Sequence, residues 1–115
     1  MPKADELLAE LESGHEKLDE EIPGEVKDFR NFAENVHSEG ALSAKQKSLI
    51  ALGAAAVKQC KYCIVKNLQE AIERGATRSE IAETCSVIML LNGGPGSAYS
   101  GFIMEKFDEL QQSQN

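Results

Sequence analysis

The sequence has no tryptophan, and aromatic residues make up only 5 % of it. Its core must therefore be aliphatic, and a hydrophobic content of 42 % is enough for one domain over residues 1–115. Alternating apolar and polar positions are missing, which argues against strands. No apolar run approaches the roughly 20 residues of a membrane span, and the charged first 16 residues lack an apolar signal region. These absences predict a cytoplasmic protein with no membrane partner. Basic residues are scarce: 12 Lys and Arg stand against 19 Asp and Glu, a formal charge of -7. Nucleic acid is a poor partner for such a chain, because its binding is driven by cations that neutralise phosphates. Three cysteines, an odd number, do not suggest a secreted disulfide framework.

Acid is missing locally as well. Residues 1–40 carry twelve of the nineteen acidic side chains, whereas residues 41–69 contain only Lys45, Lys47, Lys58, Lys61 and Lys66 as charged groups. A solvated helix face accounts for such a run equally well, but the basic stretch holds a pair of cysteines.

What is present reads as helix almost throughout, an all-α fold. Leu7, Leu8 and Leu11 share one face of a short acidic helix over residues 5–11, suited to packing on a partner, and residues 15–22 add a turn or two before Pro23-Gly24. Val26, Phe29, Phe32, Ala33 and Val36 recur at helical spacing, with Gly40 as the stop. Ser43 with Gln46, and Thr77 with Glu80, are capping-box patterns that open helices to about residues 57 and 91. Between them a helix from about residue 60 to 75 carries Ile64, Leu68, Ala71 and Ile72. "SVIMLL", residues 86–91, is apolar nearly all round, as if buried on every side by subunit contacts. "GGPG", residues 93–96, breaks the helix before a last one over residues 97–110, and it lacks the strand and spacing of a nucleotide loop.

Cys60 and Cys63 fall in the first turn of a helix, where i and i+3 share a face at a separation of roughly 5 Å that a disulfide tolerates. The unpaired N–H groups of a helix start, with Lys58 and Lys61 beside them, favour a thiolate. Cys60 gains most and is the expected exposed thiol, with Cys63 shielded by the turn and by Tyr62. A redox pair, half a metal site and a structural pair are all compatible with four residues. Zinc needs about four ligands, and only His15, His37 and Cys85 remain to supply them. Cys85 shares a helix face with Ile81, Ile88 and Met89 and reads as a small core residue; both histidines read as surface residues.

Residues 40–99 resemble the core of the carboxymuconolactone decarboxylase superfamily, in particular its alkylhydroperoxidase D-like (AhpD-like) branch. The resemblance rests on L-S-x-K-x-K-x-L-I from Leu42, C-x-Y-C from Cys60, G-A-T-x-x-E-I from Gly75, and the late G-G-P. It implies an AhpD-like helical core over residues 41–112 behind acidic N-terminal helices over residues 1–40. It also implies trimers or hexamers and thiol chemistry at the CxxC pair; no cofactor or metal is expected. In the peroxidase members a glutamate twelve residues before the first cysteine and a histidine four after the second relay the proton of the second, peroxide-attacking cysteine. Here Ser48 and Asn67 occupy those positions, and neither accepts a proton near neutral pH.

Thiol–disulfide exchange asks less of a base than peroxide reduction does. The expected activity is that of a disulfide reductase with Cys60 attacking and Cys63 resolving. Lys58 and Lys61 would activate the thiol or attract an anionic substrate, and Ser48 and Asn67 would line the pocket. Its partners would be a disulfide substrate and a thiol or dithiol electron donor. A weak alkyl hydroperoxidase using the same pair, and a non-catalytic oligomeric scaffold stapled by it, are the alternatives.

Overall fold

Five helices make up the computed structural model, which describes residues 2–113 and has no strand among them. Helices α1 (Ala4–Glu21) and α2 (Pro23–His37) meet without a loop. Ile22 caps both, with φ -134° and ψ 62°, because the ring of Pro23 excludes the preceding residue from helical geometry. The two short N-terminal pieces expected from the sequence are one helix, since a mid-helix Gly14 costs only about 1 kcal/mol relative to alanine.

Helix α3 (Ala44–Val57) opens with the predicted capping box: Ser43 Oγ accepts from the Gln46 N–H at 3.0 Å, and Gln46 Oε1 accepts from the Ser43 N–H at 2.8 Å. Helix α4 (Lys61–Glu73) follows, and α5 (Arg78–Ser113) opens with the second box, Thr77 with Glu80. Gly93, at φ 54° and ψ -131°, is the one non-helical residue within α5. Ser100 Oγ reaches the Cys85 carbonyl oxygen at 3.4 Å, whereas fifteen residues of straight helix would span about 22 Å. The chain therefore folds back at Gly93, and the expected break is concentrated in one left-handed residue. Gly96 seats the reversal, because a Cβ there would lie 2.9 Å from the Ile88 carbonyl oxygen.

The core is aliphatic. Leu52, Ala55 and Ala56 of α3 meet Ile64, Val65, Leu68 and Ala71 of α4 and Ile81, Ile88, Ile103 and Phe107 of α5. Ala4 and Leu7 are buried too, so α1 packs on its own chain and needs no partner for this contact. Its start is tied to the end of α5. Glu109 Oε1 accepts from the Ala4 N–H at 2.7 Å, and the buried Lys106 donates to the Pro2 carbonyl at 3.0 Å.

Two apolar stripes face outward in the chain. Helix α2 has no buried residue, and Phe29 and Phe32 are 69 % and 64 % exposed. In "SVIMLL" only Ile88 is buried, while Leu90 and Leu91 are 80 % and 77 % exposed. That run is not enclosed on every side within the chain; it shows one face to the core and the other outward. Among the described residues no helix is long and apolar enough to cross a membrane.

Candidate redox site

The cysteine pair sits where α3 hands over to α4, and the handover uses few residues. Past the end of α3 the Gln59 N–H bonds the Ala56 carbonyl at 3.1 Å and the Cys60 N–H bonds the Ala55 carbonyl at 3.2 Å. This is the Schellman pattern, whose turning residue adopts a left-handed conformation and is usually glycine. Here it is Gln59, at φ 60°. Cys60 ends that motif and begins the next. At φ -97° and ψ 101° it is the N-cap of α4, and its Sγ accepts from the Cys63 N–H at 3.2 Å. One of the orphan donors of the helix start is thus aimed at a sulfur.

Cys60 and Cys63 are joined as a disulfide with a Cα–Cα distance of 5.3 Å. The exposure is the reverse of that expected: Cys63 is exposed and Cys60 is half-buried. The Cys60 N–H is bonded to the Ala55 carbonyl of α3, whereas Cys63, one turn in, faces outward. Tyr62 does not cover it. The Tyr62 hydroxyl donates instead to Glu10 Oε1 of α1 at 2.6 Å, and this bond, followed by desolvation and the negative charge of Glu10, pushes the phenol above its ordinary pKa.

Lys61 lies with its Nζ 5.7 Å from the centre of the Phe102 ring, and Lys106 approaches the same ring at 5.2 Å. The ammonium of Lys61 is therefore engaged by an aromatic face of α5. Lys58 is exposed at the C-cap of α3.

The two relay positions are committed to other tasks. Ser48 is fully buried; its hydroxyl donates to the Ala44 carbonyl at 3.1 Å and accepts a hydrogen bond from Arg74 Nη1. Arg74 also stands 3.8 Å from Glu70, which in turn lies 4.0 Å from His37. Asn67 Nδ2 donates to the Cys63 carbonyl oxygen at 2.8 Å. The large cleft of the chain is a separate place, and neither Ser48 nor Asn67 lines it. That cleft, about 1220 Å³, lies between α1, α2 and α4, and its walls include Leu11, Phe29, His37 and Arg74 but neither cysteine. His37 is accordingly a half-buried wall residue, not a free surface group. Cys85 is buried as expected, and burial pushes its thiol above the ordinary value, partly offset by its hydrogen bond to Ser100.

Glu10, Arg74 and Phe102 are the site neighbours that sequence reasoning missed. Each lies 26 to 52 residues from its partner, Ser48, Lys61 or Tyr62, beyond the reach of any local pattern.

The sequence pattern of the carboxymuconolactone decarboxylase family matches residues 23–102, most of the chain. The chain belongs to this family. An uncharacterised protein of Cupriavidus necator is 29 % identical over 90 % of this chain and 91 % of its own length. An uncharacterised protein from the cox locus of Paracoccus denitrificans is 30 % identical over 96 % and 93 %. Among solved structures, a carboxymuconolactone decarboxylase family protein of Legionella pneumophila superposes with a TM-score of 0.89 at 31 % identity, covering 92 % of this chain and 95 % of the other. A family member from Thermotoga maritima, with a suggested involvement in antioxidative response, gives a TM-score of 0.71 at 27 % identity over 78 % and 93 %. The all-α fold and the CxxC pair together are those of the AhpD-like branch, and α1 precedes the residues that the family pattern matches.

Proposed function

We propose that this member of the family is a thiol–disulfide oxidoreductase that reduces disulfides with the Cys60–Cys63 dithiol. The observation that carries the reading is the asymmetry of the pair: an exposed cysteine one helical turn from a half-buried one whose sulfur accepts an N–H bond. The Cys63 thiolate attacks one sulfur of the substrate disulfide. That S–S bond breaks, and the departing thiolate takes up a proton. Cys60, held at the positive end of α4, then attacks Cys63 in the mixed disulfide, closes the intramolecular bond and releases the second substrate thiol. Two electrons and two protons pass to the substrate, and a thiol or dithiol donor restores the pair.

Exchange suits this site better than peroxide reduction, because the family's two relay positions hold groups that neither accept a proton nor are free to move one. The N-terminal end of α4, with the Cys63 N–H on the Cys60 sulfur, supports a thiolate in place of a base.

The reading includes assembly into a homo-oligomer, trimer or hexamer, supported by the outward stripes of α2 and of Val87, Leu90 and Leu91. Scattered exposed apolar residues are ordinary, but an aromatic stripe on one helix and an aliphatic one on another suggest covered surface.

The test is trapping. Cys60→Ser, treated with an aromatic model disulfide, should accumulate a mixed disulfide on Cys63, whereas Cys63→Ser should react slowly. Faster reaction of Cys63→Ser would assign the attack to Cys60.

A further inference from the structure

The two residues between the cysteines reach in opposite directions. Lys61 lies over Phe102 of α5, and Tyr62 donates a 2.6 Å hydrogen bond to Glu10 of α1. The second contact links the motif to a helix that precedes the family-matched segment. It is a short, charge-assisted O–H···O bond between positions 52 residues apart. Helix α1 is itself held: Leu7 is buried, and Glu109 and Lys106 of α5 bond the backbone at its start. Lys106 also lies against the Phe102 ring that Lys61 touches, so the contacts close a ring from Lys61 through α5 and α1 back to Tyr62.

We propose that Glu10 is a positioning residue for the dithiol, holding the first turn of α4 through Tyr62 so that the Cys63 N–H stays aimed at the Cys60 sulfur when the disulfide is open. The inference rests on the reading of the pair as an exchange site, since only there does a turn without its covalent staple matter. In the oxidised chain the Cys60–Cys63 bond itself fixes the turn. Once reduced, the turn keeps its place only through non-covalent contacts, and helix ends fray. Tyr62 occupies the second position of α4, between the two cysteines, so its anchor acts on the segment that carries the N–H donor. Glu10 has two effects of opposite sign. Its negative charge disfavours a nearby thiolate, whereas its grip on Tyr62 preserves the dipole and the N–H that favour one. The grip outweighs the charge, because solvent screens the charge of the exposed carboxylate but not the geometry of its hydrogen bond.

The test compares Tyr62→Phe, Glu10→Ala and Glu10→Gln in the full chain. The first two delete the bond; the third keeps an acceptor and removes the charge. Two readouts are used, the pH profile of iodoacetamide alkylation of the reduced protein and the oxidation state of the pair in glutathione buffers. Tyr62→Phe and Glu10→Ala should each raise the lower apparent thiol pKa of the pair by about half a unit and make its potential more negative. The double variant should shift no further than either single one, and Glu10→Gln should give a pKa at or slightly below the parent's. A lowered pKa in both Glu10 variants with no effect of Tyr62→Phe would show a bare charge effect and overturn the proposal, as would unchanged profiles throughout. Neither readout needs substrate turnover. Failure here leaves the exchange reading standing, and absence of turnover with a shifted profile would do the reverse.

Discussion

Arg74, in the C-cap of α4, donates a hydrogen bond to the hydroxyl of Ser48, which is buried in α3 twelve residues before Cys60. A guanidinium therefore abuts Ser48, the residue that the resemblance aligns with the carboxylate base of the family's peroxidases. The charge beside this position is positive.

Restoring the relay residues alone should accordingly do little. A carboxylate introduced by Ser48→Glu would pair with Arg74, its pKa would fall, and it would be a weak base. Ser48→Glu with Asn67→His should raise alkyl hydroperoxide turnover only slightly. Adding Arg74→Gln should raise it further, toward the hundredfold or so that a positioned acid–base pair typically supplies. Peroxidase assays of the double and triple variants decide this; equal rates would show that Arg74 does not hold the base down.

Gln59 adopts a left-handed conformation that costs a non-glycine residue about 1–2 kcal/mol. The equivalent turn after α4 uses Gly75, at φ 93°, with the same pair of hydrogen bonds from Gly75 and Ala76. Gln59→Gly should stabilise the chain by up to about 1 kcal/mol, once the greater freedom of glycine in the unfolded state is subtracted. Urea denaturation measures it, and a lowered midpoint would contradict the strain.

These two junctions show what the sequence makes legible. Both capping boxes were readable because Ser43 with Gln46 and Thr77 with Glu80 bond across three residues. The CxxC pair was readable for the same reason, and so was the break at Gly93. The exposure of Cys63 was not, because it depends on how the turn at Gln59 and Cys60 joins α3 to α4. Nor was the outward direction of Phe29 and Phe32: helical spacing defines a stripe but not what covers it. Contacts such as Glu10 with Tyr62 arise from packing between distant elements, where acidic residues of α1 are interchangeable to a sequence reader.

Glu80 is held below its ordinary pKa of 4.5, first by the Thr77 backbone N–H and then by Lys45 at 2.9 Å. A depressed folded-state pKa contributes stability that is present above the unfolded value and lost as pH falls through the folded one. Glu80→Gln should therefore lower the thermal midpoint at pH 7, and the difference should shrink as pH drops below about 4. A pH-independent difference would assign the effect to packing.

If α2 and the outer face of α5 are covered by other copies, Phe29→Ser with Phe32→Ser should reduce the oligomeric state while leaving helix content unchanged, because neither ring is in the core. Light scattering and circular dichroism on the same samples measure both. A parent protein that is already a monomer at micromolar concentration would contradict the assembly.

The most direct measurement compares the reduced protein's turnover of a model disulfide with that of an alkyl hydroperoxide, under one electron donor, alongside Cys60→Ser and Cys63→Ser. The account predicts faster disulfide reduction, abolished as multiple turnover by either substitution. Faster peroxide reduction, or disulfide reduction that survives loss of Cys63, would contradict it.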